Sequence, residues 1–127
     1  MSKQILIVDD EPNIVISLEF LMKREGFAVT VARDGEEGLA AIRERHPDLV
    51  VLDVMMPKRN GFEVLEEVRA DPALAGVRIL MLTAKGRPAE SKKGLELGAD
   101  AYMAKPFSTR ELVDKAKFLL AVGGGAP

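Results

Sequence analysis

The chain has 127 residues, of which 47% are apolar and 30% are charged, and this composition is typical of one soluble globular domain. Its net charge of −2 gives no reason to expect nucleic-acid binding, and the absence of cysteine excludes disulfides, thiolate metal sites and cysteine nucleophiles. No apolar run approaches the roughly 18 residues of a membrane span, and the short segment before the first strand leaves no room for a signal peptide, so we expect a cytoplasmic protein without a membrane partner.

Five short apolar runs alternate with segments of helical periodicity. The runs cover residues 5–8, 28–32, 49–52, 79–82 and 101–104. The first and third runs are continuously apolar, as in central strands buried on both faces, whereas the second alternates, as in an edge strand. This alternation predicts an α/β fold with a five-stranded, doubly wound parallel sheet in the strand order 2-1-3-4-5.

The segments between the strands carry start and stop signals for five helices. The helices are expected to begin at about Pro12, Asp34, Phe62, Pro88 and Ser108, and to end at about Gly26, at Arg45, before Asp71, at Gly98 and at Ala121. Ser108, with Glu111 three residues later, predicts a capping box for the fifth helix. The tail 123–127 shows no periodicity and is expected to be flexible, so the folded domain covers residues 1–122.

Polar residues stand where the apolar runs stop. Asp9 and Asp10 follow the first strand, Asp53 the third, Thr83 the fourth and Lys105 the fifth. In a doubly wound sheet the functional crevice lies at the carboxyl ends of the strands, where the winding direction reverses between strands 1 and 3. These five side chains are therefore expected to share one crevice.

Three carboxylates packed together repel one another, so either some stay protonated or a cation neutralises them. Because only oxygen ligands are present, a hard ion is expected, Mg²⁺ before Ca²⁺ or Mn²⁺. With Lys105 as a second positive charge and Thr83 as a hydroxyl donor, the site could stabilise a transferring phosphoryl group, with Asp53 as the nucleophile. An alternative for Asp9 and Asp10 is a purely structural role at the N-terminus of the first helix, where acids suit the helix dipole.

These residues and their surroundings resemble the receiver domain of two-component response regulators, in particular a single-domain, chemotaxis-regulator-like member with a flavodoxin-like (βα)₅ fold. The resemblance covers residues 3–122 approximately. The motifs that carry it are Ile7-Val8-Asp9-Asp10-Glu11-Pro12, Asp53-Val54-Met55-Met56-Pro57 with Asn60-Gly61, Thr83-Ala84, Gly98-Ala99-Asp100-Ala101-Tyr102 and Lys105-Pro106-Phe107.

The resemblance implies a role for each site residue. Asp53 would be the phosphoacceptor, and Asp10 a direct Mg²⁺ ligand, with Asp9 acting directly or through water. Met55 would give only its backbone carbonyl to the metal. Lys105 would contact the phosphoryl group, and its bond to the following proline is expected to be cis.

The resemblance also implies a signalling mechanism. The phosphoryl group would come from a histidine kinase or a phosphotransfer protein, and water would later remove it, so the domain would catalyse only its own phosphorylation and dephosphorylation. Thr83 and Tyr102 would switch the face of helix 4, strand 5 and helix 5 for an unknown output protein. For Tyr102, plain packing with the hydroxyl at the surface is the alternative. Gly94 either loosens the fourth helix for such a movement or only allows it to pack closely.

Two apolar side chains of the first helix, Ile16 and Phe20, lie nearly opposite its expected core stripe of Ile14, Leu18 and Leu21. They are candidates for docking a helical kinase or phosphotransfer domain. Isolated exposed apolar residues are common, and Phe20 could instead pack on the fifth helix.

Three hypotheses for the chain remain open. It could be a stand-alone switch, or the receiver part of a larger regulator or hybrid kinase. The third is a Mg²⁺-dependent phosphatase of small molecules, which would need a second acid two residues after Asp53, where Met55 stands.

Overall fold

A computed structural model of the chain describes residues 3–84 and 88–125. Five parallel strands form one sheet in the order β2-β1-β3-β4-β5, which confirms the predicted fold and places β2 at an edge. The strands are β1 (Gln4–Val8), β2 (Ala28–Ala32), β3 (Leu49–Asp53), β4 (Arg78–Ala84) and β5 (Ala101–Lys105). None of the helices in the described part of the chain is long and apolar enough to cross a membrane.

The helices follow the strands in strict alternation. They are α1 (Pro12–Arg24), α2 (Gly35–Arg45), α3 (Gly61–Ala70), α4 (Pro88–Glu96) and α5 (Thr109–Gly125), with one 3₁₀ turn at Pro72–Leu74 that the sequence pattern did not indicate. Ser108 caps α5, since its hydroxyl accepts a hydrogen bond from the Glu111 N–H at 3.0 Å. The helix continues four residues beyond the expected end at Ala121, because glycine lowers helix stability without preventing helical geometry. The last two residues of the expected tail lie outside the described residues.

The sheet is covered on both faces, and successive strand residues point to opposite sides. Ile5 and Ile7 of β1 pack with α1 and α5, whereas Leu6 and Val8 pack with α2 and α3. The buried stripe of α1 consists of Val15, Leu18, Leu21 and Met22. Leu18 and Leu21 of the expected stripe are thus confirmed, whereas Ile14 is only partly buried and Val15 and Met22 complete the buried face.

The loop after β3 is held close to the end of that strand. Gly61, the first residue of α3, donates its N–H to the Val54 carbonyl at 2.8 Å, and a Cβ at this position would collide with the carbonyl of Asp53. Asn60 caps α3 through a capping box with Glu63. A side-chain-free residue at position 61 is therefore what allows α3 to start against the end of β3.

On α4, Gly94 is buried, and a Cβ added there would lie 2.9 Å from the Met81 sulfur of β4. Such a distance is too short without a shift of the methionine. Of the two expected roles of Gly94, close packing of the helix on the sheet is thus a feature of the structure.

Candidate functional site

Three carboxylates meet at the carboxyl ends of β1 and β3. Asp9, Asp10 and Asp53 each offer one carboxylate oxygen, and these three oxygens lie within 4.8 Å of one another. Asp9 is fully buried and Asp53 is 5% exposed, whereas Asp10 is exposed. The chain leaves β1 towards one face of the sheet and β3 towards the other, and this divergence opens the crevice in which the three side chains meet.

This donor set suits a hard divalent cation. The three aspartates supply only oxygen atoms, and they converge closely enough to share one ion. A carboxylate pair or triad of this kind leaves room for water in the remaining coordination positions of Mg²⁺. The residues present therefore fit the magnesium ion that the sequence analysis expects at this point.

Lys105, the last residue of β5, reaches into the same cluster. Its Nζ lies 2.7 Å from Glu11 Oε1, 3.2 Å from Asp9 Oδ2 and 3.3 Å from Asp53 Oδ1. The peptide bond from Lys105 to Pro106 is cis, as the resemblance implied. The register of β4 and β5 pairs Ala84 with Lys105, which sets the lysine at the carboxyl edge of the sheet.

The burial of these charges changes their proton affinities. The pKa of Asp53 is raised from 3.8 to about 7, mainly by burial and next by the negative charge of Asp9, and Lys105 only partly offsets these two effects. Burial also raises the pKa of Asp9, against the backbone hydrogen bond from Glu11 and the charge of Lys105. Burial lowers the pKa of Lys105, but its contacts with Glu11, Asp53 and Asp9 outweigh that effect and the net direction is upward. The cluster is thus short of positive charge.

Thr83 of β4 is buried beside the cluster, one residue beyond the strand position that pairs with Asp53. Its hydroxyl donates to the Met103 carbonyl of β5 at 3.4 Å and lies 3.5 Å from the Ser91 hydroxyl of α4. The side chain of Thr83 therefore contacts both α4, which covers β4, and β5, which pairs with β4.

The remaining predicted residues lie outside the charged cluster. Met55 is in the loop after β3, with its side chain 65% exposed. Tyr102 lies three residues before Lys105 on β5 and is 43% exposed, so its ring is at the surface. Ile16 and Phe20 are each 64% exposed on α1 and are not brought into the site.

Two site residues received no role in the sequence analysis. Glu11 makes the shortest contact with Lys105, and Ser91 is next to the hydroxyl of Thr83. Glu11 directly follows the acidic pair, so an acidic run of three was the signal available. For Ser91 the sequence offers no signal beyond its place in the first turn of α4.

Comparison with known proteins decides the family. A family model described as the response regulator receiver domain matches residues 5–117. The chain belongs to this family. It is thus a receiver domain of two-component response regulators, and receiver domains are phosphoacceptors, bind Mg²⁺ at the acidic pocket and interact with histidine kinases or phosphotransfer partners.

Relatives of this receiver domain include both longer and similarly sized proteins. It is 48% identical over 120 residues to the alkaline phosphatase synthesis transcriptional regulatory protein PhoP of Bacillus subtilis (strain 168), covering 94% of the chain but only 49% of that protein. The chain therefore spans about half the length of this curated relative.

Solved structures share the fold. A CheY-like response regulator receiver domain protein from Methanospirillum hungatei JF-1 is 34% identical with a TM-score of 0.89, and 98% of each chain is covered. The chemotaxis protein CheY4 of Vibrio cholerae is 30% identical with a TM-score of 0.86, covering 94% of this chain and 99% of that one.

Proposed function

We propose that this receiver domain accepts a phosphoryl group on Asp53 in a Mg²⁺-dependent reaction and thereby switches a signalling surface. The observation that carries the proposal is the position of Asp53, buried within 4.8 Å of two further aspartates and 3.3 Å from Lys105. A carboxylate in such company is a weak acid when the site lacks a cation, and it becomes an anionic nucleophile when positive charge is added.

The donor is proposed to be a phosphohistidine of a histidine kinase or phosphotransfer protein. One carboxylate oxygen of Asp53 forms the new bond to phosphorus, while the phosphorus–nitrogen bond of the donor breaks and its electron pair stays on the imidazole. When bound, Mg²⁺ adds positive charge at the phosphoryl oxygens. Lys105 provides the second fixed positive charge and shares the negative charge that moves onto the acceptor.

Asp10, together with Asp9 directly or through a water molecule, is proposed to hold the ion. The backbone carbonyl of Met55 is the proposed further ligand from the loop after β3. This assignment leaves no acid at position 55 to protonate a leaving group, which disfavours the alternative of a phosphatase that acts on small molecules.

Intact-protein mass spectrometry tests the proposal. With Mg²⁺ and a small phosphoryl donor such as acetyl phosphate, the wild-type chain should gain the mass of one phosphate, and Asp53→Asn should gain none. Asp114→Asn, which changes a 68% exposed aspartate of α5, is the matched control and should label like the wild type. Labelling that persists in Asp53→Asn or in excess chelator contradicts the proposal.

The switch is proposed to run through Thr83 and Tyr102 to the face of α4, β5 and α5. Thr83 lies between α4 and β5 through Ser91 and Met103, so a hydroxyl that turns to the phosphoryl oxygens exchanges those contacts for new ones. The ring of Tyr102 lines a cavity of about 600 Å³ on this face together with Phe118, which is 62% exposed. This face is the proposed surface for the output protein.

The chain has one tyrosine and no tryptophan, so tyrosine fluorescence reports on Tyr102 alone. Phosphorylation should change the emission and its quenching by a neutral quencher such as acrylamide. Thr83→Ala should still be phosphorylated on Asp53 but lose most of this change. An unchanged response in Thr83→Ala would exclude the threonine from the switch.

Ile16 and Phe20 are proposed to dock the helical domain of the phosphoryl donor. Both are exposed on α1, the helix that starts directly after the acidic pair, and the Arg24 guanidinium lies 5.7 Å from the Phe20 ring centroid.

Either a stand-alone domain or the receiver part of a longer regulator fits this activity, and the length of the full gene distinguishes these two arrangements.

A further inference from the structure

Glu11 is a charged residue of the site that the proposed chemistry does not use. The candidate metal-binding group consists of three aspartates and does not include Glu11, whose side chain is 58% exposed. It nevertheless makes the shortest of the three contacts of Lys105, 2.7 Å against 3.2 Å and 3.3 Å for Asp9 and Asp53.

The position of Glu11 in the fold would suggest a different role. It is the N-cap residue of α1, immediately before Pro12, but its side chain forms no capping hydrogen bond. Its carboxylate instead contacts a lysine 94 residues later in the chain. The side chain is thus used for the site and not for the end of its own helix.

The three partners approach Lys105 from two sides. Asp9 and Asp53 are buried and hold the ammonium group from within the crevice, whereas Glu11 is exposed and holds it from the solvent side. A phosphoryl group that arrives on Asp53 adds negative charge inside the crevice. That charge and Glu11, the shortest and outermost contact of Lys105, then attract the same ammonium group.

We propose that Glu11 is a positioning residue that holds Lys105 at the rim of the crevice in the unphosphorylated domain and competes with the incoming phosphoryl group for it. This inference rests on the proposed function of Asp53. In the reaction with acetyl phosphate, the Asp53 carboxylate bonds to phosphorus and the phosphorus–oxygen bond to the acetyl group breaks. Acetate leaves with the electron pair, so no proton has to move.

Loss of the contact should therefore accelerate phosphorylation at saturating Mg²⁺. A partly exposed ion pair of this kind corresponds to about a twofold to fivefold change in rate. Glu11→Gln removes the charge at nearly constant size. Glu11→Asp keeps the charge but withdraws the carboxylate by one methylene, and it places a good N-cap residue before α1.

The two variants separate contact from charge. If Glu11 acts by holding Lys105, both Glu11→Gln and Glu11→Asp should label about twofold to fivefold faster with acetyl phosphate. If Glu11 only repels the anionic donor, Glu11→Asp should label at the wild-type rate, and the proposal fails. Glu36→Gln, at an exposed glutamate in the first turn of α2, is the matched control for loss of one negative charge.

A double-mutant cycle with Lys105→Met completes the test. In the Lys105→Met background, Glu11→Gln should leave the slow labelling rate unchanged, because the partner of Glu11 is gone. A persisting acceleration, or an equal or lower rate of Glu11→Gln in the wild-type background, overturns the role of Glu11. Failure of Asp53 itself is recognised separately, since the wild type would then gain no phosphate or Asp53→Asn would gain one. If Glu11→Gln does not fold, the comparison of Glu11→Asp with the wild type and with Lys105→Met decides.

Discussion

In the metal-free protein, Asp53→Asn is expected to increase the free energy of unfolding at pH 8. The wild-type carboxylate has to be ionised at this pH while it is only 5% exposed and beside the charge of Asp9. An asparagine of nearly the same shape avoids that charge. The Nζ of Lys105 keeps two carboxylate partners, Glu11 and Asp9, after the change.

The magnitude follows from the pKa of Asp53. The folded value is about 7 against an ordinary value of 3.8, so between these two pH values the folded chain binds more protons than the unfolded chain. Stability then falls as the pH rises through this window and levels off above it. Since one pKa unit corresponds to about 1.36 kcal/mol, the full effect is about 4 kcal/mol. This is a large share of the 5–15 kcal/mol that is typical of a folded domain.

Urea unfolding followed by circular dichroism at 222 nm measures the effect, because the chain has no tryptophan and urea leaves the ionic strength constant. The curves should be recorded at several pH values between 4 and 8 in excess chelator. The difference between Asp53→Asn and the wild type should grow with pH over this range. Asp114→Asn, at an exposed site, should show the pH dependence of the wild type.

Addition of Mg²⁺ should reduce the difference in the free energy of unfolding between Asp53→Asn and the wild type. A cation that binds only the folded state adds about 1.4 kcal/mol at ten times its dissociation constant. The wild type should gain this amount, and Asp53→Asn should gain less because one ligand has lost its charge. Parallel pH profiles of the two proteins without metal would refute the charge argument, and equal stabilisation by Mg²⁺ would refute the assignment of Asp53 to the metal site.

Three further predictions concern the scaffold and the docking surface. Arg69→Met should lower the free energy of unfolding by about 2–3 kcal/mol in urea unfolding. The guanidinium donates hydrogen bonds of 2.8–2.9 Å to the carbonyls of Gly98 and Val77 and to the carboxylate of Asp100, and all three are lost in the variant. A change near zero would contradict this role. Asn60→Ala should cost about 1 kcal/mol in the same assay through the lost capping box of α3, whereas no change would mean that the cap is replaced locally. Ile16→Glu should slow phosphoryl transfer from the cognate kinase and leave labelling by acetyl phosphate unchanged, so equal kinase rates would exclude docking at this position.

The strand ends were predictable because the physics behind them is local. Continuous apolar runs identified the buried strands, and the polar residue that stops each run marked its carboxyl end. Parallel pairing then brings those ends to one edge, so Asp9, Asp53, Thr83 and Lys105 could be assigned to one crevice without knowing any distance. The order of the strands was within reach for the same reason, since alternation and edge character limit the possible arrangements.

The contacts within the crevice were not predictable at this level. A strand end fixes where Cα lies, but the partner of a long side chain depends on rotamers and on the charges around it. Lys105 could be expected near Asp53, yet its shortest contact is with Glu11, a residue to which the sequence analysis gave no role. The closeness of Ser91 to Thr83 likewise depends on how α4 lies on the sheet, where Gly94 packs so closely on Met81 that a Cβ would not fit without a shift.

The shortage of positive charge connects stability with signalling. Asp53 is costly to ionise because it is buried with Asp9. The same burial excludes water, and a positive charge from Lys105 or a bound cation stabilises a carboxylate more strongly in such a site than in water. A site that destabilises its own metal-free fold responds strongly to each added charge. By the proposed function, magnesium binding would relieve the repulsion, and phosphorylation would then add negative charge for which Lys105 and Thr83 would exchange their present partners. In the proposed switch, the new contacts of the phosphoryl group therefore have to outweigh the present contacts of Lys105 with Glu11 and of Thr83 with Met103.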